Sequence, residues 1–207
     1  EILYVDSQES WNLFIKTLEN ANEIGIDTEF DWRTTYFPKL SLIQVSLKRK
    51  IFIIDCEKIN DFKDFKFILE NKSVLKIFHS VRSDSTVLSN CLGITLVNVF
   101  DIQQAEKIIT NGDIPNYASV VKKYFHVELD KSETNSNWLR RPLTSKQLTY
   151  AAEDVSYLIK IFNSQKKILS KKGLQRAFKQ SYLESSLGSE SLKKLRLEKK
   201  KNKFSIK

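Results

Sequence analysis

The sequence predicts an α/β protein: a mixed sheet of five to six strands flanked by helices on both faces. Three observations carry that prediction. Apolar, β-rich runs at 24–30, 40–47 and 50–55 follow one another closely, with Pro38 ahead of the second, which is the pattern of an antiparallel meander. Short apolar runs at 74–79 and 96–100 are separated and followed by helical patterns, as in parallel βαβ units. Stripes at helical spacing occupy the start and the last third of the chain.

Taken in order, Asp6-Ser7-Gln8-Glu9 has the form of a capping box, and Trp11, Phe14, Ile15 and Leu18 then recur at helical spacing, so a first helix is expected near 7–20. The run at 24–30 reads as a buried strand with a charged tip, Asp27 and Glu29. Side chains two apart in a strand share a face, so these carboxylates converge while Thr28 turns away. With no Lys or Arg in the run, a hard divalent cation with oxygen ligands is the economical partner for both. Alone, an Asp-x-Glu triplet usually marks an ordinary strand end or turn and does not identify a site. Past the strand at 74–79, His79 and Asp84 stand at the carboxyl edge where open α/β sheets form sites. Alone, Asp84 also reads as the acidic first turn of a helix, and His79 as an interior histidine. Helices are expected over 115–125, 144–170 and 173–187, with a polar loop from His126 to Thr144. In the second of these, Leu148, Ala151, Val155, Leu158 and Phe162 form an apolar stripe, and Tyr150 and Asp154 lie one turn apart beside it.

Composition narrows the setting. The 207 residues suffice for a sizeable core, and 41% hydrophobic with 29% charged residues is a globular balance. The longest aliphatic and aromatic run is Ile51-Phe52-Ile53-Ile54, and no signal peptide opens the chain, so a cytoplasmic location is expected. Cys56 and Cys91 stand in unrelated contexts, against a disulfide framework or a thiolate metal site. The chain starts at Glu1 and has no Met, so it is not expected to begin at a translation start. Residues 191–207 hold a net +7 of the overall +9, leaving +2 for residues 1–190. The tail is therefore either a phosphate-binding arm or a solvated charge run.

The ordered set Asp27-Thr28-Glu29-Phe30, Asp84 in a His-x4-Asp context, and Tyr150-x3-Asp154 resembles the three exonuclease motifs of the DEDDy family of 3′→5′ exonucleases. Within that family the chain is most similar to the bacterial ribonuclease D group. The resemblance extends through Tyr36-Phe37-Pro38-Lys39-Leu40, Leu42-Ile43-Gln44, Phe100-Asp101-Ile102-Gln103, Leu129-Asp130-Lys131-Ser132-Glu133 and the stretch 137–144, where Asn137 departs from an expected acidic residue. It implies the ribonuclease H-like exonuclease fold over residues 1–187. The basic tail, 188–207, then follows, with no room for the C-terminal helical RNA-binding modules of longer members.

The resemblance also implies roles. Asp27, Glu29, Asp84 and Asp154 would ligate two divalent cations, Mg²⁺ or Mn²⁺ in preference to zinc because every ligand is a carboxylate. Tyr150 would orient the attacking water, releasing nucleoside 5′-monophosphates. Phe30 is placed to stack on the terminal base or to pack in the core. Lys131, Trp138, Arg140 and Arg141 frame the polar loop as substrate contacts, joined by Thr28 and, as a support behind the ligands, His79. The expected partner is RNA with a free 3′ end, tRNA precursors included. DNA is the rival substrate, and a non-catalytic nucleic-acid-binding module is the rival of a different class.

Overall fold

At the centre of the sheet β2 (Glu23–Asp31) alternates two kinds of residue, and the rest of the fold sorts itself onto its two faces. Ile24 and Ile26 are fully buried on one face. They pack with Trp11 and Phe14 of α1 (Gln8–Leu18), Phe65 of α2 (Lys63–Leu69), and Val87 and Leu88 of α3 (Arg82–Leu92). Gly25, Asp27 and Glu29 take the other face. That face is covered by α6 (Ser145–Ser156) and α7 (Leu158–Lys171). At Gly25 an added Cβ would collide with the Ser46 hydroxyl of the neighbouring strand and press on Leu158 at 3.0 Å, so glycine is what lets that strand and α7 crowd this point.

The computed structural model describes residues 1–31 and 38–179. Tyr36 and Phe37, the end of the helix expected over 173–187, and the basic tail lie outside them. The sheet has six strands in the order β1-β4-β3-β2-β5-β6, adding β3 (Lys39–Leu47), β4 (Lys50–Asp55), β5 (Leu75–Phe78) and β6 (Val99–Asp101). Strands β2, β3 and β4 form the expected antiparallel meander, and β5 and β6 add in parallel. β1 (Ile2–Val5), parallel to β4 at the edge, was not expected from its four residues. Between Glu29↔Leu42 and Phe30↔Leu40 the pairing skips Ser41, a bulge on β3 beside the carboxylates.

Two local expectations need correction. The cap of α1 is Ser7, whose hydroxyl accepts from the Ser10 backbone N–H at 3.3 Å, while Ser10 serves in place of Glu9 as the reciprocal partner. The single helix expected over 144–170 is two helices broken at Tyr157. The cause is Tyr117, at the start of α5 (Tyr117–Phe125). Its hydroxyl donates to the Glu153 carbonyl at 3.1 Å and accepts from the Tyr157 N–H at 3.3 Å, occupying the rung that those two groups would otherwise close. The other helix on this face, α4 (Ile102–Thr110), starts at the cap Asp101.

Candidate active site at the tip of strand β2

Strand parity brings Asp27 and Glu29 together, and α6 lays Asp154 over them. One carboxylate oxygen from each of the three falls within 4.8 Å of the others. Burial, the neighbouring carboxylates Asp84 and Asp154, and for Asp27 also Glu29, push Asp27 and Glu29 well above the usual carboxylate range. Burial also pushes Asp154 up to about 7, against the opposing pull of Lys131. A divalent cation relieves this repulsion, and an all-oxygen donor set suits a hard ion. The residues present therefore fit the metal that the motif implies.

Asp84 arrives from the first turn of α3 and is buried. Its Oδ1 accepts from the Thr28 hydroxyl at 2.6 Å, and burial raises it to about 6. Thr28, expected as a substrate contact, is itself buried and holds the Asp84 carboxylate in place. The turn before α3 is tied by Asp101, whose carboxylate accepts from the N–H groups of Ser80 and Val81 at 3.0 and 3.1 Å. Asp101 also caps α4 through Gln103 N–H at 2.9 Å, so one buried side chain aligns two elements around Asp84. The motif signal gave Asp101 no role, although an Asp between a strand and a helix is a cap signal.

His79 makes its contacts with the loop before α5 and with the first residue of that helix. Its Nε2 is 3.1 Å from the Pro115 carbonyl, so that nitrogen carries the proton, and its ring meets Tyr117 edge-on at 5.5 Å. Burial lowers its pKa, which keeps it neutral. Phe30 is half-buried, with part of its side chain packed against the α1–α3 core.

The polar loop divides its residues differently from expectation. Trp138 is buried among Leu42, Ile53, Ala151 and Ala152, with its ring 5.8 Å from that of Tyr150. It backs the tyrosine and is not exposed to a substrate. Arg141 grips Asp55 at the end of β4 through two bonds of 2.7 and 2.8 Å and reaches the Trp138 carbonyl at 2.6 Å. The Ser41 hydroxyl donates to the same carbonyl at 2.5 Å. Arg141 is thus a structural clamp whose guanidinium is taken up by a buried carboxylate, and the β3 bulge supplies its second anchor. Lys131 and Arg140 remain exposed, with Lys131 close enough to bias Asp154. Tyr150 is half-buried, its hydroxyl 3.2 Å from that of Thr134, and burial together with Asp154 pushes its pKa up to about 12.

Residues 2–170 match the 3′-5′ exonuclease family. The chain is 35% identical over 155 residues to ribonuclease D of Desulfotalea psychrophila, covering 74% of this chain and 41% of that protein. It is 37% identical over 153 residues to ribonuclease D of Haemophilus influenzae, covering 74% and 38%. Among solved structures it resembles Escherichia coli RNase D, an exoribonuclease involved in structured RNA processing, with a TM-score of 0.84 and 29% identity over 91% of this chain and 51% of that one. The catalytic core of RRP6 from Trypanosoma brucei is similar at a TM-score of 0.83 and 26% identity, covering 90% and 53%. The chain spans about two fifths of the length of the curated relatives it matches. With the motif carboxylates gathered at one strand tip and the family match running across the described sheet, this chain belongs to the 3′-5′ exonuclease family.

Proposed function

We propose that the chain is the catalytic core of a divalent-metal-dependent 3′→5′ exoribonuclease that removes nucleoside 5′-monophosphates from the 3′ ends of structured RNA, tRNA precursors among them. The observation that carries this is the convergence of Asp27, Glu29 and Asp154 within 4.8 Å, with Asp84 alongside. These four would hold two Mg²⁺ or Mn²⁺ ions. Bound there, such ions acidify water and neutralise charge on the scissile phosphate.

The chain's own groups do the rest. Tyr150 keeps its proton throughout the neutral range, so its hydroxyl orients the attacking water as donor or acceptor while Thr134 and Trp138 fix the ring. Lys131 and Arg140, exposed at the loop rim, meet substrate phosphates. The partly exposed edge of Phe30 offers a face for the terminal base. The domain extends over residues 1–187 with 188–207 as a phosphate-binding arm, and a cytoplasmic setting belongs to the same reading. No helix among the described residues is long and apolar enough to cross a membrane.

Carboxylates read phosphate geometry and not the 2′-hydroxyl, so DNA is the second reading. The test uses RNA and DNA of equal sequence, labelled at either end, with Mg²⁺, Mn²⁺ or chelator. Metal-dependent release of mononucleotides from RNA 3′ ends is expected. Preference for DNA would overturn the substrate, and inactivity on both with either metal would overturn the enzyme.

A further inference from the structure

Opposite Asp27 across the β2–β3 ladder stands Gln44. Residues directly paired in an antiparallel ladder present their side chains on the same face, with Cβ atoms roughly 4.5–5.5 Å apart. Gln44 is completely buried, and neither its amide nitrogen nor its amide oxygen has a hydrogen-bond partner. Among the described residues it is the one side chain with both polar atoms of an amide left this way. Gln165 has only its oxygen unpartnered, because its nitrogen donates to Ile102 and Glu106. Ser46, the next polar residue on this face of β3, is paired with Gly25 and so is one register step removed from the carboxylates.

Burying an unpaired amide opposes folding, and the neighbours on this face, Leu42 and Ile53, show that the site accepts an apolar side chain. Packing alone therefore does not explain a glutamine. A ligating carboxylate, however, keeps a second oxygen that needs a donor to fix its orientation. The donor must be neutral, since a Lys or Arg there would oppose cation binding, and Gln offers two N–H groups without charge.

We infer that Gln44 is a positioning residue for Asp27: its amide N–H, which has no partner in this structure, donates to the paired Asp27 carboxylate once that carboxylate takes up a cation, so that one oxygen is aimed at the metal position. The inference rests on the metal-dependent reading above. It makes Gln44 a residue kept at the expense of stability for the sake of the neighbouring ligand.

The test compares the full 207-residue chain with Gln44→Met, which conserves volume, and Gln44→Leu. Thermal unfolding is followed in chelator and across a Mn²⁺ titration, and RNA cleavage is measured separately at saturating Mn²⁺. The expected result is a Tm in chelator equal to or about 2–4 °C above wild type for at least one variant. The Mn²⁺ concentration giving half the thermal shift should rise about 10-fold or more. At saturating metal kcat should fall with KM for RNA unchanged. A lowered Tm in chelator with unchanged Mn²⁺ half-saturation would make Gln44 a packing residue and overturn the inference. Equal half-saturation in wild type and both variants would do the same. If wild type itself shows no Mn²⁺-dependent shift, the metal-dependent reading is what fails.

Discussion

Asp154 is held at a cost that its own chemistry makes visible. Burial raises Asp154 to about 7 and Asp84 to about 6 from ordinary values of 3.8. The stability tied to their protonated forms is fully present below about pH 4 and is lost as pH rises through 6 to 7. Asp154→Asn should therefore unfold at higher temperature than wild type in chelator. The gap should grow between pH 4 and pH 8 to about 1–3 kcal/mol, measured by thermal melts. With Mg²⁺ at pH 7.5 the order should reverse, because only wild type keeps the full ligand set. Turnover by Asp154→Asn and Asp27→Asn should drop by orders of magnitude at saturating Mg²⁺. Near-normal turnover in either would remove the carboxylates from the chemistry. Tyr150→Phe should lower kcat about 100-fold with KM nearly unchanged, since the hydroxyl acts mainly in the transition state. An equal loss in RNA affinity would move Tyr150 to substrate binding.

At the scale of elements, two side chains decide how the site is framed. Tyr117 replaces one rung between α6 and α7 just beyond Asp154. Tyr117→Phe leaves Glu153 and Tyr157 free to bond directly, so the Tm should change by only a few degrees while activity falls, a split that melting and cleavage assays resolve together. Arg141→Ala strands the buried Asp55 and should cost about 3–5 kcal/mol of stability. Arg141→Lys should also destabilise, without altering the salt dependence of RNA binding, which separates a clamp from a phosphate contact. These same residues mark where sequence reading stopped. Asp27 with Glu29, and Tyr150 with Asp154, could be placed side by side because strand and helix parity are local properties, but only the resemblance to the exonuclease motifs singled them out as a site. The roles of Trp138 and Arg141 were not, because their partners lie far along the chain: Asp55 is 86 residues from Arg141 and Ser41 is 97 residues from Trp138. The helix break at Tyr157 was hidden for the same reason, its cause being 40 residues upstream.

For the molecule as a whole, charge and register matter most. Residues 191–207, outside the described part, hold +7 of the net +9. Deleting them should raise KM for a tRNA-length substrate and flatten its salt dependence while leaving a tetranucleotide almost unaffected, measured as kcat/KM across a salt series. Identical slopes would make the tail a solvated charge run. The antiparallel meander and the parallel short strands, by contrast, follow from patterns that the sequence displays openly, whereas the order of the six strands and the four-residue edge strand were not read from it. The β3 bulge at Ser41 bears on how such a chain can change length. Losing or gaining one residue within β2 would flip its parity, sending the carboxylates among Trp11 and Phe14 and the isoleucines toward α6. Strand β3 already accommodates its extra residue, with Ser41 turned to use as an anchor. In a scan of single-codon deletions and insertions, Gly25 to Glu29 should tolerate none, whereas exchange of Ile26 for another aliphatic residue would be survivable. The tip of β2 is fixed in length even at the position whose side chain can change.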